Sequence, residues 1–287
     1  MNPLIESTGQ GLSTDYENYS VVSNTYDETR VPIGLEVILG CLATSDLPLT
    51  EQTLLDAGCG TGNYIEALYK KVRTCYGIDI KEEMLRQARL KFAATPHVHL
   101  EHGSLLDLPY EDGVFDGVTC NQVIHHLDGP GNGGGFPKVA KVFAEFYRVL
   151  RPGGVVVLNT CSHQQLVDGY WWADLIRRAV EEMSARIPSI ELTTTMLGSA
   201  GFHVAGVIVP LHEILQGPSY FDPKAPLNKS FREGDSTWSL ISQQELHQAL
   251  EQIRMMNEDG SINNYLTRRE QRRKCVGQTT FIFARKY

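Results

Sequence analysis

The stretch Leu54-Leu55-Asp56-Ala57-Gly58-Cys59-Gly60-Thr61-Gly62 constrains this chain more than any other. An apolar run ends in an acid and passes into alternating glycines, in the order D-x-G-x-G-x-G. Such glycines remove side chains where backbone must lie against a ligand, and they permit positive φ in a tight strand-to-helix turn. A helix expected from about Asn63 to Lys71 then aims its first amides at whatever fills the gap. The dinucleotide fingerprint G-x-G-x-x-G places its third glycine one residue later. No Gly-Lys-Ser/Thr follows, as a Walker loop requires.

Further segments stand at telling distances. Cys75-Tyr76-Gly77-Ile78-Asp79-Ile80 reads as a short apolar strand ending in an acid, with Asp79 placed 17 residues after Gly62. In an open α/β sheet the ligand lies across the carboxyl ends of the strands, where an acid accepts ribose hydroxyls. The other role open to Asp79 is N-cap of a helix from Lys81 to about Phe92. A third strand at Val98-His99-Leu100-Glu101 leads into Gly103-Ser104-Leu105-Leu106-Asp107-Leu108-Pro109, in which Asp107 caps or closes the turn. A buried strand from Val114 ends near Asn121-Gln122 and precedes His125-His126-Leu127. A helix over about Pro137–Leu150 carries a periodic apolar face of Val139, Val142, Phe143, Phe146, Val149 and Leu150. Arg151-Pro152-Gly153-Gly154 stops it with a hairpin-like reversal before the strand Val155–Asn159.

In this order the segments resemble the class I S-adenosylmethionine-dependent methyltransferases, in the small-molecule, type 11/25-like subgroup. The resemblance implies an α/β fold: a Rossmann-like seven-stranded sheet with helices on both faces and an antiparallel last strand. It implies S-adenosylmethionine as cofactor and no metal. The cofactor contacts it implies are Tyr26, Arg30, Asp56, Gly58, Gly60, Thr61, Gly62, Asp79, Ile80, Ser104, Leu105, Asn121 and Gln122. One position departs from the family pattern G-D-x-x-x-L-P, because Ser104 stands where the acid holds the adenine edge. A hydroxyl still accepts a hydrogen bond from an exocyclic amine.

Composition narrows the function classes. A chain of 287 residues is one large domain or a domain with insertions, and 42% hydrophobic content supports a full core. A net charge of −8 argues against a protein that tracks a nucleic-acid backbone. No apolar run reaches membrane-spanning length. The polar, acidic first thirty residues lack the basic and apolar regions of a secretory signal. Six cysteines (Cys41, Cys59, Cys75, Cys120, Cys161, Cys275) without a C-x-x-C read as reduced thiols of a cytoplasmic protein.

The expected organisation is an N-terminal lid and first helix (1–48), a cofactor-binding core (49–211 and 276–287) and an insertion (212–275). In the lid, Tyr19, Tyr26 and Arg30 precede a helix expected over Ile33–Ala43. The resemblance places a Tyr-Asp-x-x-Arg segment of this kind over the cofactor, its cation near the methionyl carboxylate. A sixth strand, Phe202–Val209, and a seventh, Gln278–Arg285, are separated by roughly 65 residues, too many for a plain loop. Within them Ser242 and Glu245 form a capping box opening an amphipathic helix. This insertion either covers the substrate mouth or makes a subunit contact in a homodimer. Arg268, Arg269, Arg272, Arg273 and Lys274, at helical spacing with Glu270 inside, read as a solvated face.

Methyl transfer to a small metabolite is the implied reaction, with approach and alignment supplying much of the rate. Where the acceptor carries a proton, His125, His126 and His163 are the candidate bases, as imidazole titrates near neutrality, with His126 and His163 placed after strands four and five near the expected methyl position. Tyr19, His125, Trp171 and Trp172 are candidate acceptor contacts; of two adjacent tryptophans, one packs in the core and one is free to line a cleft. Two other readings stay open. Thr160-Cys161 resembles the strand-five Thr-Cys of RNA cytosine methyltransferases, although the Pro-Cys after strand four is missing. A catalytically silent cofactor-binding scaffold is the other.

Overall fold

The computed structural model describes residues 30–130 and 135–287. Its centre is a seven-stranded sheet in the order β3-β2-β1-β4-β5-β7-β6. The strands are β1 (Thr53–Ala57), β2 (Thr74–Asp79), β3 (Val98–His102), β4 (Phe115–Asn121), β5 (Leu150–Thr160), β6 (His203–Ile208) and β7 (Thr280–Arg285). Strands β1 to β5 run parallel, while β7 pairs antiparallel with both β5 and β6. β1 and β4 are buried along their whole length, as strands covered on both faces must be.

Helices α1 (Leu35–Leu42), α2 (Asn63–Leu68), α3 (Glu82–Lys91), α4 (Pro137–Val149), α5 (His163–Asp168), α6 (Arg177–Ser184) and α7 (Ile190–Ser199) connect or cover the strands. The apolar face expected on α4 is fully buried, from Val139 to Val149. One expectation needs correction. Arg151-Pro152-Gly153-Gly154 stops α4, but no hairpin follows. The strand starts at Leu150, and these residues form an irregularity within β5 between the Phe115–Leu150 and Gly117–Val155 pairs. Gly153 takes φ 81° there, and its amide donates to the Lys286 carbonyl at 2.7 Å.

Between β6 and β7 the chain forms α8 (Lys229–Glu233), α9 (Ser236–Ser239), α10 (Gln243–Glu258) and α11 (Ile262–Val276). The Ser242 hydroxyl caps α10 by accepting the Glu245 amide at 3.2 Å. These helices share a second core with residues 161–187, in which Trp171, Trp172, Ile176 and Met183 meet Tyr220, Phe231, Trp238 and Ile253. The basic run on α11 is only in part a solvated face. Arg268, Arg272 and Lys274 are exposed, whereas Arg269 and Arg273 are buried. Arg269 donates to the carbonyls of Val167 and Tyr170 and pairs with Asp174 at 3.1 Å; Arg273 donates to the Leu211 carbonyl at 2.7 Å. A long basic side chain is retained inside because its donors close carbonyls that would otherwise be orphaned.

Candidate active site

Two chambers open at the carboxyl ends of the parallel strands and meet across Gly58, Gly60, Asn121, Gln122 and His126. Each holds about 1000 Å³ of empty space including its mouth, 1020 Å³ and 1010 Å³ respectively. The glycine loop is their common floor. Its amides at Gly58 and Cys59 donate to the Ile78 carbonyl at 2.8 and 3.0 Å, tying the loop to β2. Gly60, at φ 54°, has open space where a side chain would begin: an added Cβ would meet only the Met84 methyl, at 3.5 Å. Gly62 serves packing instead, its Cα facing the Phe92 ring, and it lines neither chamber.

The second chamber is walled by Asp79, Ile80, Lys81, Met84, Ser104, Leu105, Val123, Leu127 and Lys138, among others. Asp79 accepts the Gly60 amide through one oxygen and the Lys81 amide through the other, both at 2.8 Å. Burial pushes its carboxyl upward, and these two amides pull against that. Each oxygen keeps a lone pair for a diol. Asp79 therefore braces the glycine loop and the start of α3 while facing the chamber. The Ser104 hydroxyl accepts the Leu106 amide at 3.2 Å, which closes the turn beneath the same wall.

The first chamber is different in character. One side is apolar, from Leu166, Tyr170, Met183, Ile187 and Leu215. The other is polar, from Arg30, Tyr64, His125, Asp235, Ser236 and Thr237. Arg30 donates to the Gly234 carbonyl and pairs with Asp235 at 3.5 Å. His125 is buried, with Nε2 at 3.2 Å from the Ser236 hydroxyl and its ring 4.0 Å from that of His126. Burial holds the His125 imidazole well below its usual range, and His126 and the nearby arginines push the same way. His125 is therefore neutral at neutral pH.

Residue Gln122 has positive φ, 55°, without being glycine. Such strain persists where surroundings over-determine it. Here the Gln122 amide donates to the Asn159 carbonyl at 2.8 Å, and Nε2 donates to Asn159 Oδ1 at 2.9 Å and Thr279 Oγ1 at 3.0 Å. β5 and the residue that precedes β7 thereby fix the turn after β4 at the chamber junction.

Residues 55–158 match the Methyltransferase domain family. Residues 55–158 therefore form a methyltransferase domain that uses S-adenosylmethionine. An Anabaena variabilis protein assigned to an antibiotic biosynthesis pathway as a methyltransferase superposes with TM-score 0.71 at 23% identity, over 89% of this chain and 98% of that one. That likeness is one of fold. A demethylmenaquinone methyltransferase of Staphylococcus aureus is 38% identical over 115 residues, 39% of this chain and 44% of that protein. A 37.1 kDa protein of transposon TN4556 from Streptomyces fradiae is 29% identical over 186 residues, 62% of this chain and 51% of that protein. The chain spans about half the length of these curated relatives.

The chamber walls hold Arg30, Gly58, Gly60, Thr61, Asp79, Ile80, Ser104, Leu105, Asn121, Gln122, His125 and His126. The cofactor fits this residue set on three counts: the open cradle over Gly60, the Asp79 carboxylate and the buried, unpartnered Oδ1 of Asn121. Five expected site residues stand elsewhere, Gly62 among them, its space taken by the Phe92 ring. Asp56 lines neither chamber and instead accepts from Thr119 and Asn121. His163 is exposed with its ring nitrogen on the Ile187 carbonyl at 2.8 Å, outside both walls. Trp171 and Trp172 are both in the second core, 1% and 2% exposed, so neither lines a cleft. They are spent on packing because Tyr220, Phe231 and Trp238 close over them. Tyr19 and Tyr26 lie outside the described residues. The segment Glu233–Thr237 lines the first chamber and went unnoticed in the sequence, where no motif marks it.

Proposed function

We propose that the protein transfers a methyl group from S-adenosylmethionine to an N, O or S atom of a small metabolite by in-line displacement. The observation that carries this reading is the meeting of two chambers across Gly58, Gly60, Asn121, Gln122 and His126. The second chamber takes the adenosine: Asp79 accepts the ribose hydroxyls, and Ser104 and Leu105 edge the adenine. The first takes the amino-acid end and, beyond it, the acceptor. Bound there, the cofactor supplies an electrophilic methyl group on a sulfonium that is already a good leaving group. The protein's part is then alignment. His126, at the junction, receives the acceptor's proton where there is one. Neutral His125 hydrogen-bonds the acceptor, and Glu233–Thr237 cap it, in line with a substrate-cap role for 212–275. Six free cysteines support a reducing, cytoplasmic setting. Among the described residues no helix is long and apolar enough to cross a membrane.

Incubation with methyl-tritiated S-adenosylmethionine and a small-metabolite extract should move label into an organic-soluble product. Binding of S-adenosylhomocysteine without any such transfer would favour the scaffold reading.

The RNA reading makes a separate demand on Cys161. That thiol is 5% exposed, and burial together with Asp235 pushes it up to about 12, so it is not a thiolate at neutral pH. Cys161→Ser should therefore keep turnover, and the wild type should form no covalent adduct with 5-fluorocytosine RNA. An adduct, detected as a shifted band in a denaturing gel, would restore the RNA reading.

A further inference from the structure

The charges that line the first chamber are closed against one another. Asp235 is 5% exposed; its Oδ1 accepts the Thr237 amide at 3.0 Å, and its Oδ2 accepts from Gln216 Nε2 at 3.1 Å and pairs with Arg30 at 3.5 Å. Arg30 also donates to the Gly234 carbonyl. Glu233 pairs with Lys229 at 2.9 Å. Arg186, whose charge reaches His125, pairs with Glu182 at 3.0 Å. His126 stands at the chamber junction, where its charge acts on Asp79. Among the described residues that line this chamber, every full charge besides His126 thus has an opposite charge beside it.

The opposite wall offers an incoming molecule mostly hydrocarbon, from Leu166, Met183, Ile187 and Leu215. The Tyr170 hydroxyl is spent on the Gln278 carbonyl at 3.4 Å, which leaves its ring for the chamber. Cys161, protonated at neutral pH, adds a small apolar group. An uncharged polar pair completes the lining: neutral His125, with Nε2 at 3.2 Å from the Ser236 hydroxyl. α9, which Ser236 opens, packs against α6, which carries Met183, so this pair adjoins the apolar wall. An isolated charge brought into such a place is costly, whereas an uncharged group that finds its hydrogen bond is not.

We propose that the methyl acceptor is an uncharged, mainly apolar hydroxyl compound, with its hydroxyl on the His125–Ser236 pair and its body on the wall of Met183 and Leu215, and that Asp235 sets this preference by cancelling the charge of Arg30. The inference rests on the methyl-transfer reading above and names its substrate class. Of the nucleophiles open to that reading, aliphatic amines are cations at neutral pH and carboxylates are anions, while phenols and alcohols are neither. In the transfer the hydroxyl oxygen gains the methyl group and the sulfur keeps the electron pair of the bond that breaks. The hydroxyl proton passes to His126, whose ring lies 4.0 Å from that of His125.

Equilibrium dialysis of the full chain, in the presence of S-adenosylhomocysteine, tests the proposal with probes of one ring system: 2-naphthol, 2-naphthoate and protonated 2-naphthylmethylamine. The wild type should hold 2-naphthol at least about tenfold more tightly than either ion. Asp235→Asn keeps an oxygen for the Thr237 amide and leaves Arg30 unopposed. The preference for 2-naphthol over 2-naphthoate should then shrink by about tenfold. Arg30→Met does the reverse: it leaves Asp235 without that cation, and the preference over the amine should shrink by about the same factor. Because the two variants push in opposite directions, either one decides the matter if the other fails to fold.

An ion held as tightly as 2-naphthol by the wild type, or a preference that neither variant moves, overturns the proposal. A chain that binds S-adenosylhomocysteine but no probe overturns this inference and leaves the cofactor assignment standing. One that binds none of these compounds overturns both.

Discussion

Gly60→Val is expected to abolish measurable cofactor binding while leaving the fold standing. The residue sits at φ 54°, which costs a β-branched side chain roughly 1–3 kcal/mol of backbone strain. That alone leaves a domain of this size folded. Its Cβ would start in open space, with Met84 Cε at 3.5 Å as its near neighbour, and its methyls would extend into the junction of the chambers. A ligand in van der Waals contact with that backbone cannot be accommodated, and the Gly60–Asp79 hydrogen bond at 2.8 Å is strained with it. A loss of at least about a hundredfold in affinity is expected, equivalent to roughly 3 kcal/mol or more. Gly58 would make a poorer test: a Cβ there meets Val123 at 2.5 Å, so the fold and the site would fail together. Calorimetry with S-adenosylhomocysteine, paired with a melting curve, separates the two effects. Undiminished affinity in a folded Gly60→Val protein would remove the glycine loop from the cofactor site.

This contrast between Gly60 and Gly58 shows what the sequence made legible. The loop, the acid ending β2 and the strands themselves could be read because each rests on neighbours close in the chain: a turn needs its glycines, and a strand its apolar run. Gly62 looked the same as Gly60 in that reading, yet its space is taken by Phe92, thirty residues on. The roles of Asp56, Arg269 and the tryptophan pair were hidden for the same reason. Asp56 lies outside the chamber walls and accepts from Thr119 and Asn121, more than sixty residues away in sequence. Arg269 is buried because carbonyls about a hundred residues earlier need its donors. No local pattern carries that information. His163 shows the converse error: its place after β5 was right for a base, but α5 begins there and turns its ring onto the Ile187 carbonyl.

Trp172→Ala should disable the acceptor chamber and spare the cofactor. The indole is 2% exposed and packs edge-on against Trp171 and Phe231, at 5.4 and 5.3 Å between ring centres, with Tyr220 at 5.7 Å. It therefore joins the chain after β5 to the segment before and after Glu233–Thr237, which forms part of the chamber wall. Removing a buried Trp of this kind costs about 3–5 kcal/mol, and in a chain of this length that lowers the melting temperature by on the order of 10 °C. The cavity left behind unseats α8 and α9, so the ion pair of Arg30 with Asp235 and the His125–Ser236 contact should loosen. The second chamber is lined by the glycine loop, the ends of β2 and β4, the turns after β3 and β4, and residues of α3 and α4, whereas the rings around Trp172 are Tyr170, Trp171, Tyr220, Phe231 and Trp238. Affinity for S-adenosylhomocysteine should accordingly stay within about threefold, a difference under 1 kcal/mol, while methyl transfer falls by more than an order of magnitude. Hydrogen exchange read over residues 229–239 should show protection lost there and kept in β1 and β4. If protection in that segment is unchanged, the tryptophan is ordinary packing and the insertion is held by other contacts. If cofactor affinity falls as far as turnover, the two chambers are one cooperative unit and the cap has no separate role in acceptor binding.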